Sequence, residues 1–120
     1  MATAAEFATE PIIALIAIGL LIRMSVRANA QFHDEARLPM QWALNGSVNW
    51  TAPRSFALAL TPILASCILT AIVVMTLTLQ PRPGQEGMEI PVVFFGSIVF
   101  VAAHGFHLWM IKKTLKKNDL

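Results

Sequence analysis

The chain has 120 residues, of which 56% are hydrophobic and only 13% carry a charge. Soluble domains average about 25% charged residues, and a chain this short has too little interior to bury so much apolar surface. Composition therefore excludes an ordinary soluble domain and predicts one membrane domain over residues 1–120, of the all-α class. The net charge of +2 is too small to indicate a nucleic-acid-binding surface, so we expect no nucleic-acid partner.

The first predicted span covers residues 9–28 and contains the uncharged run Pro11–Ile22. Thr9 can cap this helix, and Pro11 falls in its first turn, where a missing N–H removes no hydrogen bond. Twelve apolar residues are too few to cross a bilayer, so we expect the helix to continue through the basic residues that follow, whose side chains can extend to the interface. A buried or interfacial helix is the alternative for this segment.

The segment Ala28–Arg54 is the longest polar stretch of the chain. We expect a loop that lies on the membrane surface, with a short helical piece that ends before Pro39. The Asn-Gly pair at residues 45–46 indicates a turn. Trp42 and Trp50 flank this turn, and because tryptophan favours the level of the lipid headgroups, both are expected to anchor the loop at the interface.

The second predicted span, residues 55–79, is 25 residues long and carries no charge. At ~1.5 Å per residue its helix reaches roughly 37 Å, enough to cross a hydrocarbon core of about 30 Å. Pro62 lies inside this span, where it deprives the carbonyl of Leu58 of its helical partner and predicts a kink. Thr61 and Ser66 are close enough to satisfy the backbone groups that the proline frees.

Small residues recur every four positions along the second span, at Ala57, Thr61 and Ala65. Such a ridge lets another helix approach closely, so it is expected to pack against the other two spans. Contact between copies of the chain is the alternative use of the ridge. Cys67, the single cysteine, is expected to act as a small hydrophobic residue within the hydrocarbon.

The third predicted span covers residues 90–111, with Pro91 in its first turn and no full charge along its length. It follows the segment 80–89, whose prolines and glycines predict a tight polar loop. Four lysines come after it, between Lys112 and Lys117, and favour a position beside anionic lipid.

The basic residues are distributed unevenly along the chain. Four arginines flank or occupy the first loop, four lysines follow the third span, and only Arg82 lies in the second loop. By the positive-inside rule, this distribution places the N-terminus outside the cell, and the Trp-rich loop and the C-terminus in the cytoplasm.

His104 and His107 are the only ionisable groups well inside a predicted span, and their spacing places them near one face of the helix. Ionisable residues at such positions are functional candidates, so one hypothesis is a ligand to haem, another porphyrin or a metal. The alternative is a hydrogen bond to a neighbouring helix or contact with interfacial water. The other two spans contain no histidine to complete a bis-histidine site, so we expect no cofactor, and no metal site is predicted.

The loop contains a short motif of four residues with characteristic spacing: Leu38, Pro39, Trp42 and Gly46. It resembles the loop of a small bacterial membrane domain found in the sporulation-delaying-toxin immunity proteins. The resemblance covers about a fifth of the chain, from Leu38 to Thr61. It implies a protein of the bacterial cytoplasmic (inner) membrane whose four motif residues shape a structured interfacial loop.

The leading functional hypothesis is a non-catalytic accessory or immunity-type protein that acts through helix packing and the loop carrying Trp42 and Trp50. No catalytic residue is predicted, because the chain has no recognisable nucleophile or metalloenzyme motif. A cofactor-binding subunit that uses His104 or His107 is the second hypothesis, and an oligomeric transporter or channel component is the third. The predicted spans hold no carboxylate, with Glu10 at the edge of the first, and this disfavours a proton-coupled transporter. Expected partners are the lipid bilayer, another membrane protein or a second copy.

Overall fold

The computed structural model describes residues 4–79 and 88–118. Their order along the chain is α1 (Ala4–Gln31), β1 (Arg37–Trp42), β2 (Val48–Pro53), α2 (Arg54–Thr78) and α3 (Glu89–Asn118). The expectation of three helices that are long and apolar enough to cross a membrane is confirmed. Most of the predicted polar loop at 80–89 lies outside the described residues, and Glu89 begins α3.

The outward faces of the three helices are apolar. Leu15 on α1 is 67% exposed, and Phe95 and Phe106 on α3 are 69% and 62% exposed. Burying apolar surface is favourable by about 25 cal/mol per Å², so side chains of this size on every outer face are characteristic of helices surrounded by hydrocarbon.

Two buried clusters hold the helices together. The first joins residues from all three helices and consists of Ala14, Ala17, Leu21, Ala65, Leu69, Val73 and Val93. The second joins the helices to the segment between α1 and α2 and consists of Ala28, Phe32, Leu38, Ala57, Leu58 and Ile111. Alanines occur in both clusters, and small side chains allow the helix backbones to approach closely.

The all-α prediction is wrong for the segment between α1 and α2, which forms an antiparallel β-hairpin in place of a loop with a short helical piece. Leu38 pairs with Ala52 and Pro39 with Thr51, and the strand is irregular between Pro39 and Trp42. The tertiary contacts explain this outcome, because Leu38 is fully buried against the helices, and Ala52, its partner across the hairpin, is also buried. A strand lets the chain bury these residues while its backbone groups pair across the hairpin.

The start of α1 also differs from the prediction. The helix includes Ala4, so Pro11 lies in its interior and Thr9 is not its N-cap. A proline removes only one backbone hydrogen bond, and membrane helices tolerate that loss. Glu10 therefore lies inside the helix, close to the start of the candidate span Ala8–Gln31 as expected, and it is buried. Pro91 lies at the third residue of α3, in its first turn.

Candidate functional site

A polar group from each of the three helices meets in the interior of the bundle. His104 on α3 is fully buried, and its Nε2 lies 2.7 Å from the Oγ of Ser25 on α1. The same Ser25 hydroxyl donates a hydrogen bond of 2.6 Å to the carbonyl oxygen of Leu58 on α2. One serine thus connects all three helices through two hydrogen bonds.

The acceptor on α2 is available because of Pro62. Four residues after Leu58, Pro62 has no N–H to donate to the Leu58 carbonyl, which would otherwise be an unpaired buried acceptor. The expectation that Thr61 and Ser66 satisfy this group is wrong for Ser66, whose Oγ donates to the carbonyl of Pro62 at 2.7 Å. The Leu58 carbonyl receives its hydrogen bond from another helix.

The hydrogen-bond directions fix the tautomer of His104. A serine hydroxyl has one hydrogen, and Ser25 donates it to Leu58, so its oxygen accepts from the N–H at Nε2 of His104. The Nδ1 atom is then an acceptor, and it has no hydrogen-bond partner within the described part of the chain. Ser97 Oγ, two turns earlier on α3, is likewise buried and unpaired there.

His107 serves a different part of the fold. Its Nε2 donates to the carbonyl of Pro39 in β1 at 3.2 Å, and its ring meets Trp42 edge-on with centroids 5.8 Å apart. Trp42 in turn donates from Nε1 to Thr114 Oγ1 on α3 at 2.9 Å. His104 therefore faces the interior of the bundle, whereas His107 binds the hairpin. The two imidazoles have different hydrogen-bond partners and do not face a common site.

Arg54, the first residue of α2, fixes the other end of the hairpin. Its guanidinium donates to the side-chain oxygen of Asn29 at 2.9 Å and to the carbonyls of His33 and Glu35 at 2.6 and 2.7 Å. Its backbone N–H also binds the carbonyl of Ala36 at 3.0 Å. These carbonyls belong to the segment that follows α1, and a cation at the C-terminal end of the helix also complements the helix dipole.

The residues of the predicted loop motif all have positions that shape the hairpin. Leu38 is the buried core contact, Pro39 supplies the carbonyl that accepts from His107, and Trp42 binds α3. Gly46 lies in the hairpin turn with a φ of +88°, a conformation that favours glycine. Trp50 is 48% exposed and donates to the side chain of Gln41 at 3.0 Å.

The small-residue ridge lies inside the bundle. Ala57 and Ala65 are buried, each in one of the two clusters that join the helices, and Thr61 between them is half-buried. The two alanines are therefore covered within a single chain and are not accessible to another copy.

Sequence reasoning missed the burial of Glu10. Its carboxylate accepts a hydrogen bond from Thr76 Oγ1 near the end of α2, at the opposite end of the bundle from the hairpin. The one signal in the sequence was a single acidic residue next to an apolar run. The sequence does not reveal that a hydroxyl group on α2 lies beside this residue.

Two clefts of about 420 and 430 Å³ open on the surface of the bundle. One lies between α1 and α2 beside Pro62, and the other lies between the hairpin turn and the end of α3. Neither is lined by His104 or His107, and the described residues include no group of three or more histidine, cysteine or acidic side chains placed to hold a metal. No family model, curated protein or solved structure matches this chain.

Proposed function

We propose that this chain is a three-span protein of the bacterial inner membrane that acts without catalysis, as an accessory or immunity-type component. In this proposal its N-terminus is outside, its hairpin and C-terminus are in the cytoplasm, and the hairpin contacts another membrane protein. The outward apolar faces of α1, α2 and α3 support the bilayer placement. The eight basic residues around the hairpin and at the end of α3 support the orientation.

The observation that carries the proposal is the attachment of the hairpin to the helices at several points. Trp42 and Pro39 bind α3, Arg54 binds the end of α1, and Leu38 is buried in the core. A chain that only needs to cross the membrane does not require a short sheet held on several sides. A surface held in place before binding loses less conformational entropy when a partner docks, which favours a role in recognition.

The outer side of the hairpin offers such a surface. Most of β2 is exposed, including Val48 and Trp50, and Leu44 in the turn is fully exposed. Exposed tryptophan is enriched among the residues that dominate binding energy at protein interfaces. Trp50 is therefore the side chain expected to contribute most to partner binding.

The test is mass spectrometry of the proteins that co-purify with the tagged chain from native membranes in a mild detergent. We expect a stoichiometric membrane-protein partner, with recovery reduced about tenfold or more by Trp50→Ala, the loss of one interface hot spot. Phe95→Ala is the matched control, because Phe95 is an exposed aromatic residue on α3 outside the hairpin. A chain that purifies alone, or equal recovery with both variants, would contradict the proposal.

The same purified sample tests the cofactor hypothesis. A porphyrin bound by histidine gives a Soret absorption band, and the proposal made here expects none. A band that disappears in His104→Ala would replace the accessory role with a cofactor-binding one.

Orientation is tested separately with an introduced thiol. In a Cys67→Ser background, Ser47→Cys places a single cysteine in the exposed hairpin turn. A membrane-impermeant maleimide should label it only after the cells are opened. Labelling of intact cells would reverse the proposed orientation.

A further inference from the structure

The cleft between the hairpin turn and the end of α3 has the chemistry of an anion site. Its volume is about 430 Å³, and its polar lining is formed by Asn45, Ser47, Lys113, Thr114 and Lys117. Trp42 and Met110 complete one wall. Among the residues that the structure describes, no carboxylate lines the cleft, and Lys113 and Lys117 are its charged lining residues.

The two lysines are positioned to act together. Lys113 and Lys117 are one helical turn apart and therefore lie on the same face of α3. Within the described residues neither ammonium forms an ion pair with a carboxylate. Lys113 Nζ lies 5.0 Å from the centre of the Trp109 ring, a cation–π contact that leaves its charge unneutralised.

The uncharged groups in the cleft are also donors. Thr114 Oγ1 accepts the hydrogen bond from Trp42, so its own hydrogen is available to a ligand. Asn45 Oδ1 accepts from both the N–H and the Oγ of Ser47, at 3.0 and 2.7 Å, so this acceptor is occupied and the amide NH₂ remains. A lining of ammonium, hydroxyl and amide donors suits the oxygens of a phosphate group.

The level of the cleft along the bundle favours the headgroup of a lipid as the phosphate ligand. Ile111 is the last buried apolar residue of α3, and Lys113 and Lys117 occupy the next turns. Tryptophans lie on both sides of this level, Trp42 in the cleft and Trp109 on the outer face. Lysines just beyond a membrane helix face the headgroups of the anionic cytoplasmic leaflet.

We infer that the cleft binds the phosphate group of one anionic phospholipid, with Lys113 and Lys117 pairing with its charge and Thr114 donating to it. This inference rests on the membrane placement given under the proposed function. It does not depend on the hairpin having a protein partner.

The experiment uses the full chain in nanodiscs of phosphatidylcholine that contain a minor fraction of phosphatidylglycerol. Native mass spectrometry after ejection counts the lipid that stays on the chain. We expect one phosphatidylglycerol per chain, retained in preference to phosphatidylcholine, which carries the same phosphate beside a cation. Lys113→Gln with Lys117→Gln should lower this retention about tenfold or more, at ~1 kcal/mol per lysine near an anionic surface.

The matched control is Lys112→Gln with Lys116→Gln, which removes the same charge from the same turns of α3 but not from the cleft. Retention should fall by less than about twofold, because the two cleft lysines remain. Equal loss in both pairs would overturn the inference in favour of diffuse attraction by the lysine tail. Displacement of the lipid by millimolar inorganic phosphate would overturn the lipid assignment and leave a free-phosphate site.

Failure of the proposed function is distinguishable from failure of this inference. If the membrane placement is wrong, the chain will not co-elute with the nanodisc at all. If only the partner-binding role is wrong, phosphatidylglycerol retention will be unaffected.

Discussion

Replacing Ser25 with alanine removes a single hydroxyl that serves two other helices. The substitution leaves the Leu58 carbonyl and the Nε2–H of His104 buried without their partners. Interhelical hydrogen bonds in membrane proteins contribute roughly 0.6 kcal/mol on average and at most about 1.7 kcal/mol. A buried group left unpaired costs about 1–3 kcal/mol. For two bonds we expect the free energy of unfolding to fall by about 1–3 kcal/mol.

Ser66→Ala is the matched control for this prediction. Ser66 also donates to a backbone carbonyl on α2, that of Pro62, but the bond stays within one helix and its removal separates no helices. Its expected effect is below about 0.5 kcal/mol, the usual range for a substitution without a buried, specific role. Unfolding by sodium dodecyl sulfate in mixed micelles, followed by far-ultraviolet circular dichroism, gives both values on one scale.

A double-mutant cycle assigns the cause. Pro62→Ala restores a backbone N–H that can bind the Leu58 carbonyl, which makes one of the two Ser25 bonds redundant. In that background Ser25→Ala should cost about half of its value in the unmodified chain. The reasoning would be refuted if Ser25→Ala costs no more than Ser66→Ala, or if Pro62→Ala leaves the cost of Ser25→Ala unchanged.

Three further predictions concern the hairpin. Arg54→Gln should destabilise it by about 1.5–3 kcal/mol, because charged hydrogen bonds to the carbonyls of His33 and Glu35, in the segment after α1, are lost. Faster amide hydrogen exchange in both strands would show this, and unchanged exchange would contradict it. Trp42→Phe should lower the free energy of unfolding by about 0.5–1.5 kcal/mol, because the hydrogen bond to Thr114 is lost. Trp50→Phe should lower it by less, since its bond to Gln41 is solvent-exposed. Equal losses in chemical unfolding would contradict the attachment of the hairpin through Trp42. Gly46→Ala should lower the free energy of unfolding by about 1–2 kcal/mol, because alanine is strained at the positive φ of this position. Steric contact adds nothing, since no atom lies within 4 Å of the added carbon. A smaller loss in thermal unfolding would contradict the positive φ.

The sequence by itself determined the helices, because their signal is local. An uncharged run of sufficient length needs no knowledge of its neighbours to be identified as a helix that can cross a membrane. The turn at residues 45–46 was equally predictable from the sequence, since the Asn-Gly pair favours the backbone conformation that Gly46 adopts. The start of α1 was less predictable, because a proline such as Pro11 is compatible with the first turn of a helix but does not require the helix to begin there.

One pattern in the sequence predicts the hairpin, but the polar composition of the segment favoured a different interpretation. In β2 the apolar residues Val48, Trp50 and Ala52 alternate with polar ones, which is the period of a strand. The polar character of the whole segment favoured a surface loop. What decided the outcome was the burial of Leu38 against the helices, a contact between distant parts of the chain.

Only the tertiary structure decided where the buried polar groups find their partners. The sequence shows that Pro62 frees a carbonyl and that Ser25, His104 and Glu10 lie in or beside apolar runs. It does not show that Ser25 satisfies that carbonyl from 33 residues away or that Thr76 satisfies Glu10 from 66 residues away. The physical reason is that helix formation satisfies backbone groups within each segment, whereas a buried side chain is satisfied only by the helix that packing places beside it.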